Sequence, residues 1–189
     1  FVSTGHVVEG CFIGFAADGV TVQGAATRGI TIGRSGSGQT GGIRIGGALP
    51  AQRNLVSGAT GQLLNISGLN VPGTVVQGNY LNTNRAGTAA VGHATATGIR
   101  TASPLTIGGL APGEGNVIAR GTDGIATASA TGVVIRGNYI GVGADGVTPL
   151  GHSFAGILIS NVTRDAVIEG NVIGNSAEGI SVAGDASAT

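Results

Sequence analysis

The chain has 189 residues, of which 38 are glycine and only 10% are charged, and its formal net charge is zero. Zero net charge predicts no nucleic-acid partner, and the lack of an apolar run of about 18 residues predicts no membrane insertion. Disorder and collagen are excluded as well, because 41% of the residues are hydrophobic and glycine follows no three-residue period. The sequence therefore predicts a single folded domain, residues 1–189.

An internal repeat begins near residue 10. Three blocks align without a gap: GCFIGFAADGVTVQGA (10–25), GNYLNTNRAGTAAVGH (78–93) and GNYIGVGADGVTPLGH (137–152). A second block, IGGALPAQRNLVSG (45–58), matches IGGLAPGEGNVIAR (107–120), and VIEGNVIGN (167–175) combines both signatures. A fixed internal period is typical of repeat architectures. The matches divide the domain into three imperfect units, about 5–72, 73–131 and 132–189.

Short alternating segments recur after a glycine in each unit, for example GITI at residue 29, GIRI at 42 and GILI at 156. Their period of two predicts strands with one buried face. A unit of about 60 residues, divided among three turns, gives about 20 residues per turn, a length typical of β-solenoids. The prediction is an all-β, single-stranded parallel β-helix of about nine coils.

Five asparagines in the repeated blocks each precede an apolar pair or triplet. These residues are Asn54, Asn79, Asn116, Asn138 and Asn171. At the same bend of successive coils, their side chains can bond backbone groups and stack on one another. The sequence thus predicts a structural asparagine ladder. Cys11 has this position in the first unit, and we interpret it as a buried substitute in the ladder rather than a reactive thiol.

Three motifs carry a family resemblance. GNYIG…DGVTPLGH, IGG…PGEGNVIA and GILIS resemble the right-handed parallel β-helix repeats of large bacterial cell-surface and secreted proteins, which are structurally akin to pectin lyases. The resemblance extends over essentially the whole chain and implies a right-handed coil, a bacterial source and an extracellular or cell-surface location. It does not choose between enzymes, adhesins and stalk-like proteins, which share this scaffold.

Two histidines and two acids are the candidate ligands. His93 and His152 end equivalent blocks, at a position where the β-helix repeats that this chain resembles usually have asparagine. The two histidines could form a metal pair or an acid/base pair. At three coils apart they would be about 14 Å from each other, too far for one ion, so a turn role is favoured. Asp165 and Glu169 are close enough in sequence to line one groove. No catalytic residue, metal or cofactor is predicted.

A polysaccharide lyase or hydrolase is the alternative function. A hydrolase needs two carboxylates about 5–10 Å apart, and a lyase needs a base and a cation beside a uronate. The nine acidic residues are thinly spread, and no two share a motif. Phe12, Tyr80 and Tyr139 occupy one repeat position and are expected to stack on a common face. Carbohydrate is therefore kept as an alternative partner.

Both ends of the sequence fall near a repeat boundary. TGHVVEG (4–10) matches the unit start TGVVIRG (131–137), and another such start would follow GISVAGDASAT in an array. Uncapped solenoid ends present free backbone edges. The sequence is therefore either a piece of a longer array or a unit whose copies associate end to end, and we expect end-to-end association. The predicted function is a non-catalytic extracellular structural module, acting as a fibre, a stalk or part of an adhesin.

Overall fold

A computed structural model describes residues 2–24, 26–33, 38–70, 72–160 and 163–184. These residues form short strands and one turn of 3-10 helix (Pro50–Gln52), so the chain is all-β as predicted. In chain order the strands are β1 (Val2–Thr4), β2 (Val7–Val8), β3 (Phe12–Ile13), β4 (Ala26–Ile32), β5 (Gln39–Gly41), β6 (Arg44–Gly46), β7 (Leu55–Val56), β8 (Ala59–Ser67), β9 (Val75–Gln77), β10 (Tyr80–Leu81), β11 (Thr97–Ala102), β12 (Thr106–Gly108), β13 (Val117–Ile118), β14 (Ile125–Ala128), β15 (Val134–Arg136), β16 (Tyr139–Ile140), β17 (Ala155–Ser160), β18 (Val167–Glu169), β19 (Val172–Ile173) and β20 (Glu178–Ala183).

The strands build three parallel sheets of six strands each. The first sheet contains β2, β6, β9, β12, β15 and β18, the second contains β3, β7, β10, β13, β16 and β19, and the third contains β4, β8, β11, β14, β17 and β20. Strands β1 and β5 form a separate parallel pair. The chain visits the three sheets in the same order in every coil and then pairs with the coil before. This architecture confirms a fold of the parallel β-solenoid type.

The number of coils differs from the prediction. Six strands per sheet correspond to six coils in the described residues, whereas about nine were expected. Register partners in the first sheet are Val7, Arg44, Val75, Thr106, Val134 and Val167, which are 37, 31, 31, 28 and 33 residues apart. A sequence unit therefore contains two coils rather than three, because loops between the short strands take up the additional residues.

Two kinds of loop alternate from coil to coil. The first, third and fifth coils carry an outer hairpin between the second and third sheets (residues 14–24, 82–92 and 141–151), each closed by an antiparallel bridge such as Val142–Pro149. The second and fourth coils instead carry a corner loop between the first and second sheets (residues 47–53 and 109–115). The sixth coil has neither. This alternation explains why the sequence repeats every two coils.

Columns of aliphatic side chains fill the interior. In the third sheet Ile30, Leu64, Ile99, Ile125 and Ile157 are successive register partners, and each is at most 8% exposed. Burial of one such side chain contributes about 1.5–3 kcal/mol. β-Branched residues suit these columns because their restricted side chains pack well on a pleated surface.

Glycine is required where the coils meet at a corner. Gly78 and Gly137 begin two of the repeated blocks, and both have positive φ angles of 64°. A Cβ atom added to Gly137 would lie 1.9 Å from the carbonyl oxygen of Gly109 in the preceding coil, and one added to Gly78 would lie 2.1 Å from that of Gly47. Only glycine combines this backbone conformation with so close an approach.

Candidate functional site on the second sheet

The five asparagines form a continuous ladder at the corner between the first and second sheets. Nδ2 of each of the first four donates to the Oδ1 of the asparagine one coil further on, at 2.9, 2.9, 2.8 and 2.9 Å in chain order. Nδ2 of Asn116 also donates to the Val76 carbonyl at 2.8 Å, and its Oδ1 accepts the backbone N–H of Asn79 at 2.9 Å. The ladder thus satisfies backbone groups that the corner removes from water.

Cys11 departs from its prediction. Its backbone N–H donates to Oδ1 of Asn54 at 3.0 Å, so the backbone occupies the ladder position. The side chain, however, is exposed, and its thiol donates only to the Glu9 carbonyl at 3.3 Å. The expectation of a buried Cys11 is therefore wrong, because the first coil packs on another coil on one side only.

The two histidines end equivalent hairpins but have different surroundings. His93 is exposed, whereas His152 is 4% exposed. They belong to the third and fifth coils, so they are two coils apart rather than three. Nδ1 of His152 lies 3.4 Å from Oγ of Ser176, and its Nε2 has no hydrogen-bond partner in the described residues. Burial lowers the pKa of His152 to about 4, which keeps the imidazole neutral at pH 7.

The candidate acids lie apart from any described cavity. Asp165 is exposed in a turn, with a φ angle of 53°, and Glu169 ends β18, where its carboxylate lies 3.8 Å from the guanidinium of Arg136. The described residues contain no group of three His, Cys, Asp or Glu side chains that could hold a metal ion. Asp145, at a hairpin tip, accepts hydrogen bonds from Thr148 and Val147, with the Thr148 hydroxyl contributing most, and these bonds lower its pKa to about 2. That carboxylate has a structural role in its turn.

The outer face of the second sheet brings the three predicted aromatic residues together with aliphatic residues to which the sequence assigned no role. One residue of each two-residue strand points inward, and the other forms an outer column between the hairpins and the corner loops. This column consists of Phe12, Leu55, Tyr80, Val117, Tyr139 and Val172. Three of its members are at most 8% exposed and pack in a small apolar cluster of their own. Of the three aromatic residues predicted to share this face, Tyr80 is buried, Tyr139 is half-buried and Phe12 is 38% exposed.

Two arginines lie on the aromatic rings of this column. The guanidinium carbon of Arg53, at the end of a corner loop, is 3.9 Å from the centre of the Tyr80 ring. That of Arg85, in an outer hairpin, is 5.8 Å from the centre of the Phe12 ring. Both arginines line a cavity of about 220 Å³, together with Gly10, Phe12, Ala51 and Leu55.

The same cavity is built a second time, two coils further on, with a volume of about 200 Å³. The repeated blocks pair Arg53 with Gly115 and Arg85 with Ala144. Its corresponding wall residues are Tyr80, Gly113, Gly115, Val117 and Ala144. The two cavities therefore have equivalent positions and similar volumes, but the second has Gly115 and Ala144 at the positions of Arg53 and Arg85. Comparison of the aligned units is the only sequence signal that could have indicated these arginines.

Comparison of this chain with protein-family models, curated proteins and solved structures finds no match in any of the three. The functional argument therefore depends on the geometry alone. Across the described ranges, no helix is both long enough and apolar enough to cross a membrane.

Proposed function

We propose that this chain is a non-catalytic structural module of an extracellular or cell-surface protein, acting as a fibre, a stalk or part of an adhesin of bacterial type. We further infer a right-handed coil akin to that of the pectin-lyase group, because about 98% of crossovers between parallel strands in one sheet are right-handed. Most buried polar side chains serve the ladder and the turns, which suits a scaffold.

The observation that carries this proposal is the exposure of strand edges and apolar side chains at the two outermost coils. One edge of the three sheets is formed by β2, β3 and β4, and the other by β18, β19 and β20. At the second edge Val167, Val172 and Ile180 are 46%, 42% and 49% exposed, and at the first Val7 is 51% exposed. Strand edges with apolar side chains favour pairing with a further coil, and we propose that for the purified chain this coil is supplied by a second copy.

Continuing the register from one copy into the next pairs similar residues. Ile180 would be opposite Ile30 of the second copy, and Val172 opposite Phe12. Hairpins occur in the first, third and fifth coils, so the hairpin in the first coil of the second copy would continue their two-coil spacing. A contact that does not close on itself produces a filament.

Charge complementarity at the third sheet supports the same register. Glu178 and Arg28 occupy one column, two residues before Ile180 and Ile30, so stacking would place opposite charges together. The first sheet opposes it, since Glu169 would meet Glu9. Each of these acids has its own arginine, with Glu9 lying 2.8 Å from Arg44, which reduces the repulsion between the two carboxylates.

End-to-end stacking predicts that the purified chain forms rods that lengthen with concentration, measured by sedimentation velocity and electron microscopy. Glu178→Arg should weaken assembly about tenfold or more, because it places like charges together in the contact. Adding Arg28→Glu to that variant should restore assembly. Arg100→Glu, exposed on the same sheet in the third coil, is the matched control and should leave assembly unchanged. Single rods at every concentration would contradict the proposal.

The alternative of a carbohydrate-active enzyme has less support. Arginines and aromatic rings do converge on the second sheet, but none of the cavities found there is lined by a described Asp or Glu. Hydrolysis of a glycosidic bond needs two such groups. The structural role is therefore the function that the geometry supports best.

A further inference from the structure

Arg53 is held in place with most of its hydrogen-bonding capacity unused. Its guanidinium lies flat on Tyr80, and Nε donates to the Gly78 carbonyl at 3.2 Å. A guanidinium has five N–H donors, and the four on its Nη atoms have no acceptor among the described residues. The side chain is half-buried. Contacts within the protein therefore already hold it in one conformation, so the loss of side-chain entropy does not fall on ligand binding.

Arg85 adds a second positive charge to the same cavity. Its guanidinium lies over Phe12 and makes no ion pair or side-chain hydrogen bond within the described parts of the chain. The two ion pairs found there belong to Arg44 and Arg136. Neither Asp nor Glu lines the cavity. Two guanidinium groups thus border one space of about 220 Å³ without a negative partner.

We infer that this cavity binds an oxyanion carried by a small ligand. This oxyanion is either a carboxylate or a sulfate-like group. Guanidinium groups recognise planar and tetrahedral oxyanions through paired N–H donors. The ring of Phe12 and the side chain of Leu55 offer an apolar wall for the rest of the ligand. The inferred binding needs only one copy of the chain, because the lining residues all belong to it.

The second cavity serves as an internal control for this inference. It has Gly115 and Ala144 where the first has Arg53 and Arg85, and Arg53 itself covers the Tyr80 ring at its floor. The fold therefore tolerates small neutral residues at both positions. Packing therefore does not demand an arginine at either position, and the pairing of Arg53 with Arg85 in the first cavity points to a ligand rather than to the scaffold.

The test is a titration of the ¹⁵N-labelled chain with sodium acetate and, separately, sodium sulfate at constant ionic strength, followed by nuclear magnetic resonance. The signals of Arg53 Nε–Hε and of the Gly10 amide should shift and saturate. Saturation with acetate identifies a carboxylate ligand and saturation with sulfate a tetrahedral oxyanion, and either result supports the site. Acetamide, the neutral counterpart of acetate, should cause no shift.

Arg85→Ala introduces the residue that the second cavity has at this position, so the fold should be retained. It should weaken oxyanion binding about tenfold or more, because a charged hydrogen-bond donor is lost. Arg100→Ala removes an exposed arginine outside the cavity and should leave binding unchanged. Shifts that fail to saturate with either anion, that acetamide reproduces, or that persist unchanged in Arg85→Ala would overturn the inference.

Discussion

Replacement of Asn116 by alanine is expected to lower the free energy of unfolding by about 3–4 kcal/mol. Asn116 is fully buried at the centre of the ladder. Without its side chain, the Asn79 N–H and the Val76 carbonyl lose their partners inside the protein, where water cannot replace them. Each unsatisfied buried group costs about 1–3 kcal/mol. Denaturation in urea, followed by circular dichroism, measures the loss.

Asn65→Ala is the matched control for this experiment. Asn65 is also an asparagine in a strand, but it is only half-buried and its side chain makes no hydrogen bond in the described structure. Its replacement should change the free energy of unfolding by less than about 0.5 kcal/mol. Equal losses in the two variants would show that the ladder contributes nothing beyond ordinary side-chain packing.

Acidification is expected to destabilise the fold through His152. In the unfolded chain this imidazole has its ordinary pKa of 6.5, whereas burial lowers the pKa to about 4 in the folded chain. The unfolded state therefore binds the proton first as the pH falls. The stability contributed by neutral His152 is complete above pH 6.5 and is lost down to about pH 4, a total of about 3 kcal/mol.

Asp123 reduces this loss of stability at the lower end of the pH range. Burial raises the pKa of its carboxyl, so the folded chain takes up a proton there before the unfolded chain does, which opposes the loss from His152. His152→Asn should remove most of the slope of stability between pH 6.5 and 4. His93→Asn, an exposed histidine at the equivalent repeat position, should retain it. The interpretation fails if urea denaturation gives His152→Asn the same slope as the unchanged chain.

The features that sequence predicts well are those repeated in register. Period-two segments specify the strands, and asparagines at one bend specify the ladder, because each depends on local chemistry that every coil repeats. The predicted number of coils was wrong because the repeat of the sequence spans two coils. Hairpins and corner loops in alternate coils hide the shorter period, since their lengths differ from one coil to the next.

Burial of single residues was harder to predict, because it depends on the neighbouring coil. His93 and His152 are equivalent in sequence, yet only the second is covered, with Ser176 of the sixth coil beside it. Cys11 has an asparagine position but is exposed at an outermost coil. Arg53 and Arg85 meet only because two successive coils bring distant segments to one face.

The alternation of loops also limits how such a protein can change in length. The hairpins of the third and fifth coils touch directly, since the Ala144 N–H donates to the Gly87 carbonyl at 2.8 Å. Removal of the intervening fourth coil would force these two hairpins into the space of one. Duplication or deletion of DNA can therefore resize this rod without a clash only in steps of two coils, about 10 Å each.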